Sequence, residues 1–241
     1  MKSLKNSSFY SGIRDGIPIC LGYLSVSFAF GISATGMGLS VLEAVMISMF
    51  NVTSAGQLAG LPIIAAAGSY IELALSQLVI NLRYALMSVS LSQKFDRSVH
   101  FADRFPIAFV NTDEVFAVAC GKEKPVCRAY MYGLILPPFL GWTLGTLLGA
   151  AAGNVLPPVV ISALGIAIYG MFVAIVIPVV KTERATALCV LVSVVMSCLF
   201  HYLPVLKEVQ SGFVIIICAV SASALFAIVA PIPDGEVSTD A

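Results

Sequence analysis

The feature that most constrains this chain is the spacing of its charges. Between Arg128 and Lys181 lie 52 residues without an Asp, Glu, Lys or Arg. Uncharged runs also fill positions 17–42, 44–71, 185–206 and 209–233. A helix needs about 20 apolar residues to cross the hydrocarbon of a bilayer, and each run is long enough. In water such a chain could not cover its apolar surface, because 59% of its 241 residues are hydrophobic and 11% charged, against roughly a quarter charged in a soluble domain. The mean hydropathy of +0.98 agrees. A cytosolic enzyme and a disordered regulator are excluded. Thirteen Lys+Arg balance thirteen Asp+Glu, so no net field draws a polyanion, and nucleic acid is not an expected partner. The expectation is an all-α, polytopic helical bundle in a lipid bilayer, a single domain over residues 1–241.

Within the long run, Asn154, Pro157 and Pro158 divide two spans, since proline removes a donor and disfavours helix before it. The start, with Lys2, Lys5 and Arg14 before an apolar stretch, is too long for a signal peptide and reads as an uncleaved first helix. Six cysteines without a C-x-x-C read as small buried hydrophobes rather than disulfides or metal ligands. No nucleophile, zinc-protease or P-loop signature is present, so neither enzyme nor cofactor is expected.

Lys and Arg near span ends set the topology. They place residues 1–15 in the cytoplasm, together with the loops bearing Lys94, Arg97 and Arg104, then Lys122, Lys124 and Arg128, then Lys181 and Arg184. The tail 234–241 is cytoplasmic too. If 17–36, 41–67 and 69–92 all crossed fully, the basic 94–104 loop would lie outside. The conflict disappears if the middle segment does not cross. Its interior, Asn51, Val52, Thr53, Ser54, Ala55, Gly56 and Gln57, is small and polar, and Gly60 and Pro62 follow. Backbone freed at membrane depth is tolerated only in protein or a wet cavity, so a broken or re-entrant helix here points at a site. A continuous, tightly packed helix is the alternative. Residues 105–120, with Asn111, Thr112, Asp113 and Glu114 at their middle, are short and flanked by basic residues on both sides. They dip in and return, form a short buried helix, or lie on the surface. Six to eight membrane segments result, one or two of them broken. Pro18, Leu21, Gly22 and Tyr23 are echoed by Pro137, Leu140, Gly141 and Trp142, a hint of an internal repeat.

Arg83 lies eleven residues before Lys94, roughly 16 Å from the cytoplasmic end and near the bilayer centre. An unpaired charge there costs at least about 2.5–3.5 kcal/mol. Glu72 is about three turns away, too far to pair with it, so Asp113 or Glu114 is the expected partner. A guanidinium can fork a substrate carboxylate, and a carboxylate can take an amine or a proton. A purely internal ion pair is the competing role. Asn81 and Gln77, one turn apart, can bond substrate or backbone, and Phe50 and Phe30 are candidates to bound an apolar pocket.

Three stretches resemble the AzlC-type branched-chain amino-acid permease family: Gly12 to Tyr23 continuing to Gly38, Asn81-Leu-Arg83-Tyr84 continuing to Leu91, and Thr112-Asp113-Glu114 followed by Phe116 and Ala117. Tyr84 stands where the family's motif usually has histidine. The resemblance implies the large subunit of a two-component exporter, working with an AzlD-type small membrane subunit in a bacterial inner membrane. The implied substrate is a branched-chain amino acid, with methionine as a further candidate; because no ATPase motif is present, uphill transport is expected to use an ion or proton gradient, or else a separate motor. Glycines 141, 145, 149 and 153 offer a close-packing face to that subunit or to this chain itself. Arg83, Asn81, Asp113, Glu114, Thr112, Asn51, Thr53, Ser54 and Gln57 are the expected substrate-binding or gating residues, with no metal. A non-transporting scaffold and a passive small-solute channel are the alternatives.

Overall fold

A computed structural model of the chain describes residues 2–153, 183–203, 206, 208, 209 and 211–230, with isolated positions 157, 159, 173, 176, 177, 180 and 181. The expected span over 159–180, the break at Asn154 and Pro158, and the tail 234–241 lie largely or wholly outside the described residues. The described elements are α-helices: α1 Lys2–Gly36, α2 Val41–Phe50, α3 Ser54–Ala65, α4 Tyr70–Gln93, α5 Phe101–Phe109, α6 Asp113–Cys120, α7 Arg128–Gly153, α8 Arg184–Tyr202 and α9 Ser211–Val229. Five of them, α1, α4, α7, α8 and α9, are long and apolar enough to cross a membrane. Helix starts from Lys2, so the expected N-terminal segment 1–15 is continuous with the first crossing.

Two of these crossings form the scaffold. Helices α1 and α7 lie side by side and run parallel, because Gly133 abuts Phe9 and Ile13, Gly141 abuts Cys20, and Gly149 abuts Phe28. A Cβ at Gly141 would stand 2.7 Å from the Cys20 carbonyl oxygen, and one at Gly149 would collide with the Phe28 carbonyl. The glycine face is thus consumed within this chain. In lipid, where burying apolar surface gains little, such close backbone contact is what holds helices together. The sequence echo falls on this pair, and its aromatic members meet, the Tyr23 and Trp142 rings lying edge to face at 5.2 Å.

The remaining topology follows from contacts at the helix ends. Lys94, just after α4, accepts a backbone bond from Val126, just before α7, so α4 runs antiparallel to α7 and α1. Arg14, Lys94, Lys122, Lys124 and Arg128 consequently gather on one face, which we call the basic face. Both α1 and α4 meet the far face, through Gly36 and Tyr70, so the segment between them enters and leaves on that same side. It is a hairpin: Gln57 Nε2 donates to Ser48 Oγ at 2.7 Å, whereas nine residues of straight helix span about 13.5 Å. Gly56 and Gly60 then lie along Gln77 and Leu73, bringing α3 antiparallel to α4.

The second short segment does the same from the basic face. Asp103 near the start of α5 meets Tyr132 and Arg128, and Phe109 at its end meets Phe139 deeper along α7, with centroids 6.3 Å apart. Returning, α6 passes Tyr23 at Glu114 and ends with Lys122 on Asp15, 2.8 Å away. Residues 40–93 and 100–153 therefore share one plan in opposite orientations. Each has an acid on the backbone N–H at the start of its first helix (Glu43 on Ser40, Asp103 on His100). Each then breaks over three residues, caps the next helix with threonine, and ends in a full crossing.

Candidate functional site

Both breaks have a local cause. Helix α2 stops where Asn51, Val52 and Thr53 follow Phe50, two of the three β-branched and poor helix formers. Thr53 is extended (φ −147°, ψ 119°) and its hydroxyl accepts from the Gly56 N–H, starting α3. In the second hairpin Val110, Asn111 and Thr112 interrupt the helix, and the Thr112 hydroxyl accepts from Val115 N–H, starting α6. Each threonine thereby satisfies one of the four free N–H groups that open a helix.

Helix α4 passes between the two tips and links them. Arg83 Nη2 reaches Asp113 Oδ2 at 2.8 Å and donates to the Tyr84 hydroxyl at 3.3 Å. That hydroxyl donates to Thr53 Oγ1, also at 3.3 Å. The guanidinium lies 5.0 Å over the Tyr84 ring, an attractive cation–π arrangement. Glu114, next to Asp113, accepts from the Tyr23 hydroxyl of α1. One bonded chain thus runs from the first tip through α4 to the second, with a further link from Glu114 to α1.

Among the described residues Arg83 bonds through Nη2 alone of its three nitrogens, while a guanidinium carries five N–H donors. Arg83 and Asp113 are 52% and 47% exposed. This half-open pair has donors to spare, unlike a sealed internal ion pair in which each donor is used.

The expected residues divide into groups. Arg83, Asp113 and Thr53 belong to the bonded chain; Glu114 and Thr112 adjoin it in α6. Asn51 and Asn81 both donate to Gln77 Oε1, at 3.4 and 3.2 Å, and Gln77 donates to the Gly56 carbonyl at 2.8 Å, fastening the first tip to α4. Gln57 faces Ser48 instead of Arg83, and Ser54 opens α3. The expected aromatic walls are not there. Phe30 is buried among Ala34, Ala44, Leu61 and Ala150, while Phe50 is exposed at the end of α2. Glu72 is buried far from Arg83 and accepts from the Gly212 N–H. Of the six free cysteines only Cys218 is buried and Cys198 is exposed, against the expectation of six buried ones.

Several participants carry little signal in the sequence. Tyr84 stands out there only as a departure from a motif, yet its hydroxyl bridges Arg83 and Thr53. Tyr23, Ser48, Ser88 and Thr146 have no local signature, because their partners lie 91, 98, 23 and 98 residues away along the chain. Only the echo around Tyr23 and Trp142 hinted at any of them.

Known proteins share this sequence pattern. The family model for the AzlC protein matches residues 18–156. The "Inner membrane protein YgaZ" of Escherichia coli (strain K12) is 30% identical over 197 residues, covering 79% of this chain and 80% of that protein. An "Uncharacterized membrane protein" of Archaeoglobus fulgidus is 31% identical over 187 residues, covering 76% of this chain and 81% of that protein. No solved structure matches the chain. The matched span holds both hairpins, the Arg83 and Thr112-Asp113-Glu114 motifs and all of α7, and on that match this polytopic membrane protein belongs to the AzlC family.

Proposed function

We propose that the chain is the large subunit of a membrane exporter for branched-chain amino acids, with methionine as a further substrate, driven by an ion or proton gradient. The observation that carries this reading is the half-open Arg83–Asp113 pair at the meeting of two opposed hairpin tips. The spare guanidinium donors suit a carboxylate, which arginine grips by a planar fork. Asp113 and Glu114 suit the ammonium group or a coupling proton. The N-termini of α3 and α6 add partial positive charge beside the carboxylate's place. Opposed hairpins suit alternating access, since each tip can be freed toward its own face.

Thr53, Ser54, Thr112, Asn51, Asn81 and Gln57 then shape and support the tips. The N-terminus and the basic face lie in the cytoplasm of a bacterial inner membrane, in keeping with the basic loops on that side. The AzlD-type small subunit enters from the family resemblance. Its contact is sought on the lipid-facing surfaces of α4 and α8, because the glycine face of α7 is already occupied by α1.

The test is efflux of preloaded radiolabelled leucine from vesicles holding the chain with its small subunit. Wild type should give saturable efflux. Arg83→Lys should keep a cation beside Asp113 while losing the fork, raising KM at least roughly tenfold in an assembled complex. Equal KM in wild type and Arg83→Lys would reduce Arg83 to an internal partner. No efflux of leucine, isoleucine, valine or methionine from assembled wild type would reject the substrate class.

A further inference from the structure

A second polar cluster lies in the first hairpin, on the far-face side of Thr53. Gln57 of α3, Ser48 of α2 and Thr146 of α7 meet there, with exposures of 2%, 0% and 0%. Their hydrogen bonds run in one direction. Thr146 Oγ1 donates to the Trp142 carbonyl at 3.2 Å. With its proton so placed, Ser48 is the donor of the 2.6 Å bond between the two hydroxyls, whose geometry allows either direction. Gln57 Nε2 donates in turn to Ser48 Oγ at 2.7 Å. In this arrangement both hydroxyl protons are used, and among the described residues no donor reaches the buried Gln57 Oε1. An amide oxygen left so keeps its desolvation cost unrepaid.

More acceptors belong to the end of the helix that carries Ser48. Ser48 is three residues from the start of the break, at the C-terminal end of α2. A helix leaves its last four carbonyls without intrahelical donors, and among the described residues no backbone N–H from another element reaches those of residues 47–50. The helix dipole makes that end negative. The cluster thus offers an orphaned amide oxygen, the remaining lone pairs of two hydroxyls and a helix end rich in carbonyls. All are neutral oxygens, and none is a carboxylate of the kind that calcium and magnesium sites usually use. In helical transporters, unwound carbonyls and half-helix C-termini are what bind sodium.

We propose that the tip of the first hairpin holds one sodium ion, bound by Gln57 Oε1, the Ser48 and Thr146 hydroxyls and carbonyls at the end of α2. Filling the site ties α2, α3 and α7 together, so the hairpin is fixed when sodium is bound and freed when it leaves. This places an ion beside the Arg83 centre without sharing a residue with the bonded chain there.

The site is tested on the purified chain, without transport. Thermal unfolding is followed as sodium chloride replaces choline chloride at constant ionic strength. Sodium should raise the melting temperature saturably, by roughly 3–6 °C. Gln57→Leu and Ser48→Ala should abolish the rise, and Thr146→Ser, which keeps the hydroxyl, should retain it. Equal melting in sodium and choline, or a rise that survives both disruptive variants, overturns the proposal. Where those variants do not fold, retention of radioactive sodium by the wild-type chain decides. Saturable retention displaced by unlabelled sodium supports the site, and none overturns it. The amino-acid reading stands or falls separately, because leucine efflux can fail while sodium still binds.

Discussion

The two hairpins have one plan and opposite chemistry. The first, entering from the far face, is neutral at its tip: Asn51, Thr53 and Gln57 use amides and a hydroxyl, anchored on Gln77, Ser48 and Tyr84. The second, entering from the basic face, carries Asp113 and Glu114 on the first turn of α6, answered by Arg83 and Tyr23 from two different crossings. A neutral tip can be released at modest cost because each bond is small. A charged tip keeps its place only while its partners stay, since a lone charge at this depth is expensive. On the proposed exporter reading, the charged hairpin would take the discriminating part and the neutral hairpin the yielding part.

The largest effect should come from unbalancing the charged tip. Arg83→Gln leaves two acids without their cation and should cut efflux at least roughly tenfold. Pairing it with Asp113→Asn should recover assembly, read by size-exclusion chromatography, yet not efflux. Recovery of efflux in the double variant would erase the distinction between the tips. Next is Gly56→Ala in the neutral hairpin. Its Cβ would stand 2.7 Å from Gln77 Oε1 and from Thr53 Cγ2, and such crowding costs about 1–3 kcal/mol. Gly121→Ala, after the charged hairpin, has its nearest contact at 3.1 Å and should lower the melting temperature less. The caps should be nearer parity, at about 1 kcal/mol each. Thr53→Ala should exceed Thr112→Ala, because it also strands the Tyr84 hydroxyl, and equal melting temperatures would remove that link.

The smallest effect concerns pH. Burial works to raise the Asp103 pKa, but the His100 N–H, the Tyr132 hydroxyl and the Arg128 guanidinium outweigh it and hold the group below its ordinary value. A depressed carboxylate contributes stability that is fully present above the unfolded value, about 3.9, and lost as pH falls through the lower folded value. Wild type should lose melting temperature over that acid range more than Asp103→Asn, which has nothing left to titrate. Parallel curves would show that the second hairpin's anchor is independent of this charge.

Much of this was legible in the chain because the bilayer imposes its rules on sequence. Uncharged runs at 17–42, 185–206 and 209–233 marked crossings, and the basic loops favoured a break within 41–67 over a continuous helix. Arg83 at mid-depth demanded an acid, and Asp113 was one of two on offer. What the sequence did not disclose is carried by contacts distant along the chain. The inverted relation between 40–93 and 100–153 rests on helix caps and break lengths, with little shared between side chains beyond Phe-x-x-Thr at each break. Phe30 looked like a pocket wall, yet packing against Ala44 and Ala150 gave it a place in the interior. The glycines of α7 announced a close neighbour without naming α1, because small residues specify distance and not identity.

The parallel seam between α1 and α7 also bears on how the chain is made. Its two sides leave the ribosome about 120 residues apart, and both hairpins are synthesised in between. Until α7 arrives, the α2 carbonyls and the acids of α6 have no finished interior to meet, and lipid cannot solvate them. Membrane insertion should therefore pause with the hairpins sheltered at the aqueous interface or within the insertion machinery. The last act of assembly is then a closure, in which α7 docks along α1 and draws both tips to depth together.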